Sequence, residues 1–119
     1  MAINEGDVLV ATSPYIPGFK TVKVVGIALG ITVRSRGIGG RFLAGLRSLA
    51  GGEIIEFTEM AEQARKQAID RMIQHAKSLG ANAVISFRLD SNAVGEYMDE
   101  IIAYGTAVII QPGNDNAQE

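Results

Sequence analysis

The fold is decided by residues 23–33, which read KVVGIALGITV. Every odd position from Val25 to Val33 is large and apolar, whereas positions 26, 28 and 30 are glycine or alanine. Alternation with a period of two is typical of a β-strand with two unlike faces. We therefore predict a long strand whose large face packs on a core and whose small face lets a helix or another backbone approach closely.

Further elements are predicted on both sides of this strand. A short strand is expected at Val8–Ala11, before the turn signals of the next residues. A long helix is expected from Thr58, as its N-cap, to Leu79, because small and apolar residues recur there every three or four positions. Gly80 is placed to end that helix in a left-handed conformation.

Two strands are predicted after the helix, at residues 85–89 and 101–110, as an antiparallel pair joined by a loop over 91–100. A shorter helix with one apolar stripe is predicted over residues 42–49, ended by two glycines. We expect one domain over residues 1–112 and a disordered tail over 113–119, which has almost nothing to bury. The fold class is α+β.

The composition restricts the chemistry. The 119 residues include no cysteine and one histidine, which excludes disulfides, thiolate metal sites and cysteine nucleophiles. No signal peptide or membrane span is expected, and the cytoplasm is the expected location.

Residues 1–52 carry six basic and two acidic groups, whereas residues 53–119 carry five basic and eleven acidic groups. This asymmetry favours complementary subunit faces over an anion-attracting surface.

Four segments in order resemble a known family. They are GRFLAGLRSLAGG at 40–52, the long Glu- and Ala-rich helix, LGANAV at 79–84 and GTAV at 105–108. Together they resemble the YbjQ-like family, whose uncharacterised members carry the label of heavy-metal-binding proteins, over about residues 6–110.

The resemblance implies an architecture rather than a reaction. It implies a small, mostly antiparallel sheet covered by helices, similar to a dodecin subunit, assembled into a ring-like homo-oligomer that is expected to be a pentamer. It brings no matched set of catalytic residues and no cofactor.

The residues do little to support a heavy-metal site. Soft metals prefer thiolate and imidazole ligands, and His75 shares its helix face with Arg71 and Leu79 rather than with a second ligand. We interpret Met60 and Met72 as core residues. Glu96, Asp99 and Glu100 are interpreted as a solvated acidic loop rather than a calcium or magnesium site, because they lack the EF-hand spacing.

The most suggestive segment for ligand binding is rich in arginine and glycine. Guanidinium groups beside exposed backbone N–H groups can hold phosphate or carboxylate. The segment lacks the lysine and register of a P-loop and the third glycine of a dinucleotide fingerprint, so a plain turn is the favoured interpretation. The candidate anion- or ligand-binding residues are Arg34, Arg36, Gly37, Gly39, Gly40 and Arg41.

Two functional hypotheses follow. The first is a non-enzymatic, oligomeric binding or scaffold protein. The alternative is a metal- or anion-binding protein, or an enzyme, whose site lies between subunits and joins Arg34, Arg36 and Arg41 to acidic residues of the next chain. Nucleic-acid binding is disfavoured by the net charge of −2 and the scattered aromatic residues.

Overall fold

The computed structural model describes residues 7–35, 55–96 and 98–114. These residues form a two-layer α+β arrangement of one helix on one sheet. In chain order the elements are β1 Leu9–Val10, β2 Phe19–Ser35, α1 Ile55–Ser78, β3 Ala83–Val94 and β4 Met98–Pro112.

The sheet is mixed. Its strand order is β1-β3-β4-β2, and β4 runs antiparallel to both of its neighbours, while β1 runs parallel to β3. The prediction of a mostly antiparallel sheet was therefore wrong. The physical reason is that β1 and β3 are connected through β2 and α1 and not by a short turn. A connection of that length allows β3 to run beside β1 in the same direction.

The small face of β2 lies under α1, as predicted. A Cβ added at Gly30 would collide with the carbonyl oxygen of Ala68 and the amide nitrogen of Met72. Ala28, Ala68 and Met72 are fully buried at this contact. Glycine and alanine on both elements thus bring the helix backbone directly against the strand.

Val25 packs against the core, but from Ile27 to Val33 the large face of β2 does not pack on a core in the described part of the chain, so that part of the prediction was wrong. Ile27 is 65% exposed and Val33 is 53% exposed. α1 packs against one face of β2, and the face with small residues allows the helix to approach more closely. The bulky side chains are consequently left on the opposite face of the sheet.

A second, smaller cluster packs on that opposite face, at one end of the sheet. It contains the buried residues Phe19, Ala83, Val108 and Ile110, with Leu9 and Ile16 packed against it. The segment between β1 and β2 therefore covers this end of the face.

Several boundaries differ from the predictions. α1 begins at Ile55, three residues before the predicted N-cap Thr58, while Gly80 follows its end with φ 85°, as predicted. β3 and β4 stay paired from Ser91↔Ile101 to Val94↔Met98, so the predicted loop over 91–100 is largely strand. The predicted helix over 42–49 and most of the predicted tail lie outside the described residues. In the described ranges no helix has the length and hydropathy needed to span a membrane.

Candidate functional site

The exposed part of the sheet forms a broad surface opposite α1, which we call the open face. Residues directly opposite each other on paired strands share a face. Leu29 of β2 lies opposite Tyr104 of β4, and Tyr104 lies opposite Arg88 of β3. The open face therefore runs from an apolar row on β2 to a polar row on β3.

The apolar row of the open face consists of large residues on β2 that are more than 40% exposed. They are Ile27, Leu29, Ile31 and Val33, and β2 also exposes Val22 and Val24. Isolated exposed apolar side chains are common, but a contiguous row along one strand marks an interaction surface. Because this row lies on the same face as the second cluster, burial there would extend a layer that already exists.

The polar row is organised by hydrogen bonds. The Tyr104 hydroxyl donates to the Asp90 carboxylate at 2.8 Å. That hydrogen bond, assisted by partial desolvation and the carboxylate charge, raises the pKa of the Tyr104 hydroxyl above 10.0, with Arg88 opposing the shift. An Arg88 guanidinium N–H donates to the carbonyls of Thr12 and Phe87. The polar side of the open face is thus held in a defined arrangement.

The outer edge of β2 is contacted by two side chains from α1. The backbone N–H of Leu29 donates to Nδ1 of His75 at 3.0 Å, and Arg71 donates to the carbonyl of Ile31 at 2.6 Å. His75 was predicted to have a packing or surface role, and the bond to a strand edge was not anticipated. The sequence feature that could have indicated this contact is the i, i+4 spacing of Arg71 and His75 beside the small residues of α1.

Among the candidate anion-binding residues, Arg34 lies near the end of β2 under α1. Its guanidinium donates to Oε1 of Gln67 at 2.8 Å, and its Nε is buried without a hydrogen-bond partner among the described residues. Thr32, two residues earlier on the same side, is 2% exposed, and its hydroxyl has no partner in the same part of the chain. Arg36, Gly37, Gly39, Gly40 and Arg41 lie outside the described residues.

The described residues do not fit a heavy-metal site within one subunit. They contain no group of three or more His, Cys, Asp or Glu side chains close enough to hold a metal. Nδ1 of the single histidine already accepts a hydrogen bond from Leu29. Met72 is completely buried in the core and Met60 is exposed, so the interpretation of Met72 as a core residue is confirmed and that of Met60 was wrong.

A shallow cavity of about 250 Å³ lies between α1 and the β3–β4 pair. It is lined by Arg65, Leu89, Asp90, Ser91 and Ile101. Arg65 is exposed, and the carboxylate of the lining residue Asp90 accepts the hydrogen bond from Tyr104 on the open face.

Comparison with known proteins agrees with the fold and with the resemblance noted in the sequence. A YbjQ family model described as "putative heavy-metal-binding" matches residues 8–111. A UPF0145 protein of Sulfurisphaera tokodaii is 61% identical over 110 residues, which are 92% of this chain and 96% of the relative. A UPF0145 protein of Bradyrhizobium sp. is 50% identical over 108 residues, 91% of this chain and 97% of the relative.

One solved structure is similar in fold. It is a protein of unknown function from Pediococcus pentosaceus that belongs to the DUF74 family, with a TM-score of 0.63. The match covers 87% of this chain and 98% of that protein at 13% sequence identity. It supports the α+β architecture.

Proposed function

The chain belongs to the YbjQ-like family, and from that premise and the open face we propose that it is a non-enzymatic binding or scaffold protein that works as a homo-oligomer. The observation that carries the proposal is the apolar row of Ile27, Leu29, Ile31 and Val33. Leaving four such side chains in water forgoes burial worth about 1.5–3 kcal/mol for each one fully covered. Assembly recovers that free energy.

A second copy of this chain is the occupant we propose for the open face. At one end of the apolar row, Glu100 of β4 lies opposite Val33 and shares its face, whereas Lys20 and Lys23 of β2 lie on the opposite face of the sheet. In a ring, the open face of one copy contacts a different surface of the next copy, so acidic and basic surfaces can meet across that contact. The asymmetry of charge along the sequence is in keeping with this arrangement.

The number of subunits and the location complete the proposal. The family resemblance implies a ring, and five subunits is the number that we expect. We expect the assembly in the cytoplasm, because a chain without cysteine gains nothing from an oxidising compartment. Cell fractionation with a tagged chain tests the location, and recovery outside the cytoplasmic fraction would contradict it.

Native mass spectrometry of the purified protein is the direct test, because it reports the subunit number and any retained molecule together. A ring without added mass supports a scaffold or a transient partner. A ring with added mass supports a binding protein and yields the mass of what is bound. A monodisperse monomer would defeat the proposal.

Two variants test whether the open face is the contact. Ile31 and Met60 are both 44% exposed, but Ile31 lies on the open face and Met60 lies on α1. We expect Ile31→Lys to dissociate the assembly, because the lysine charge would be buried without a partner. Met60→Lys, the matched control, is expected to leave the subunit number unchanged. Dissociation by both variants, or by neither, would argue against the open face.

The alternative is an anion or metal site between subunits, built from Arg34, Arg36 and Arg41 with acidic residues of the next chain. It is favoured by the buried, unpartnered Nε of Arg34 and hydroxyl of Thr32, since unpaired buried donors are costly unless something accepts from them. Arg36→Ala and Arg41→Ala should then weaken binding of phosphate or a small carboxylate without unfolding the protein. Unchanged ligand-screen profiles would remove this alternative.

A further inference from the structure

The edge of β2 that faces away from β4 is a place where a strand of another chain can pair. β2 is 17 residues long, and among the described strands it ends the sheet, with β4 as its neighbour on one side. An edge strand presents backbone N–H and C=O groups on which another chain can add a strand. Here the edge also borders a row of apolar side chains. Two copies therefore have two ways to meet, by covering the apolar row or by pairing edge to edge.

Arg71 and His75 occupy the middle of that edge. Backbone groups of residues i and i+2 point to the same side of a strand, so the Leu29 N–H and the Ile31 C=O both lie on the outer side of β2. Their hydrogen bonds to His75 and Arg71 occupy one donor and one acceptor among the outward-facing N–H and C=O groups that an added strand would use there. The spacing of four residues brings both side chains to one face of α1.

The close approach of the helix makes this reach possible. Gly30 lies between the two bonded positions, and its missing side chain allows Ala68 and Met72 to come against the strand backbone. The side chains of Arg71 and His75 can then extend past the strand to its outer side. A helix held further away by a larger residue would not place them there.

We propose that Arg71 and His75 form a clamp that closes the middle of the β2 edge to strand addition, so that copies of this chain meet through the open face. The part of this statement that concerns the open face rests on the proposed function. The closure of the edge stands on the two hydrogen bonds. Arg71 and His75 therefore determine the specificity of assembly.

The test compares two double variants by analytical ultracentrifugation over a range of concentrations. Arg71→Met with His75→Leu keeps the side-chain bulk and removes both hydrogen bonds. Arg65→Met with Gln74→Leu is the matched control, because it changes an arginine and a polar residue that are exposed on the same helix. We expect the clamp variant to shift to larger, open-ended species with a thioflavin T signal. The control should keep the wild-type distribution.

Aggregation caused by unfolding must be separated from strand addition. Circular dichroism below the melting transition checks that the clamp variant is folded. Adding Leu29→Pro to the clamp variant removes the N–H that an incoming strand would use. Loss of the open-ended species and of the thioflavin T signal is the expected result, whatever the change at Leu29 does to the contact through the open face. A clamp variant that keeps the wild-type distribution, or open-ended species that persist with Leu29→Pro, would overturn the proposal.

A measurement on the wild-type protein does not depend on the folding of any variant. Because the Leu29 N–H is bonded to His75, its amide should exchange slowly with solvent. Fast exchange at Leu29 would contradict a closed edge. A monomeric wild-type protein would defeat the proposed function and leave the closure standing, because strand addition uses backbone groups and not the open face.

Discussion

Nδ1 of His75 accepts a hydrogen bond from the backbone N–H of Leu29 across 3.0 Å, although the two residues are 46 positions apart in the chain. In a neutral imidazole one ring nitrogen accepts and the other carries the proton. The bond therefore assigns the proton to Nε2.

This assignment is the first prediction. Nitrogen NMR of the neutral ring should show the Nε2–H tautomer. The chain has one histidine, so the signal needs no assignment by mutation. A ring in the Nδ1–H tautomer would mean that Leu29 does not donate to it.

Gly30→Ala should destabilise the protein strongly. The new methyl group would meet the backbone of Ala68 and Met72, which can move away only if α1 lifts from the sheet. We expect a loss of about 3 kcal/mol in the free energy of unfolding, at the upper end of typical overpacking costs. Lys23→Ala, at an exposed position on the same strand, is the control and should change it by less than about 0.5 kcal/mol. Equal midpoints for the two variants in chemical denaturation would contradict the close contact.

Met72→Ala and Met60→Ala should differ sharply. Met72 is fully buried at the helix–sheet contact, so its truncation leaves a cavity and should cost about 2–5 kcal/mol. Met60 is exposed on the same helix, and its truncation should cost less than about 0.5 kcal/mol. Urea unfolding curves measure both. A large cost at Met60 would show that its side chain is covered in solution.

Asn82 should contribute to stability through both the nitrogen and the oxygen of its side-chain amide. Its Nδ2 donates to the carbonyl of Ile110 at 3.0 Å, and its Oδ1 accepts from the N–H of Ile110 at 2.7 Å. Asn82→Ala should cost about 1–3 kcal/mol, because both backbone groups lose their partner. Asn92→Ala, at an exposed position in β3, is the matched control in thermal unfolding. Indistinguishable melting temperatures would contradict this role.

The ionisation of Tyr104 should depend on Asp90. The hydrogen bond to Asp90 raises the pKa of the Tyr104 hydroxyl above 10.0, so the stability that this bond contributes is present below pH 10 and is lost as the pH rises through the raised value. Asp90→Asn removes the carboxylate and should lower this pKa. Absorbance titration of the phenols should then show that one tyrosine ionises at a lower pH than in the wild-type protein. Asp70→Asn on α1 should leave the ionisation of every tyrosine unchanged.

The long strand and its two unlike faces were predictable from the sequence, but the choice of face was not. Alternation reveals that Ile27 and Ala28 point to opposite sides, and it contains no information on which side the helix takes. The usual assumption is that the larger side chains enter the core. Here the backbone contact at Gly30 decides instead, since the helix approaches where side chains are absent.

The clamp could not be predicted for a similar reason. The sequence shows that Arg71 and His75 share a face of a helix, but it does not show that β2 ends the sheet. That fact depends on strand order, which is set by the pairing of β4 with both β2 and β3. Among the candidate anion-binding residues, the structure describes Arg34, and its bond to Gln67 depends equally on the register of α1 over β2.

The parallel pairing of β1 and β3 has a consequence for how the chain acquires its structure. Among the described strands β1 is synthesised first, but its partner residues Ala83 and Val84 are made after the whole of α1. The β3–β4 hairpin, in contrast, joins neighbouring segments, and local contacts form faster than those that close long loops. We expect pulse-labelling hydrogen exchange to show protection in β3 and β4 before protection at Leu9 and Ala11. β1 is thus synthesised before β3 and β4 but joins the sheet after they have paired.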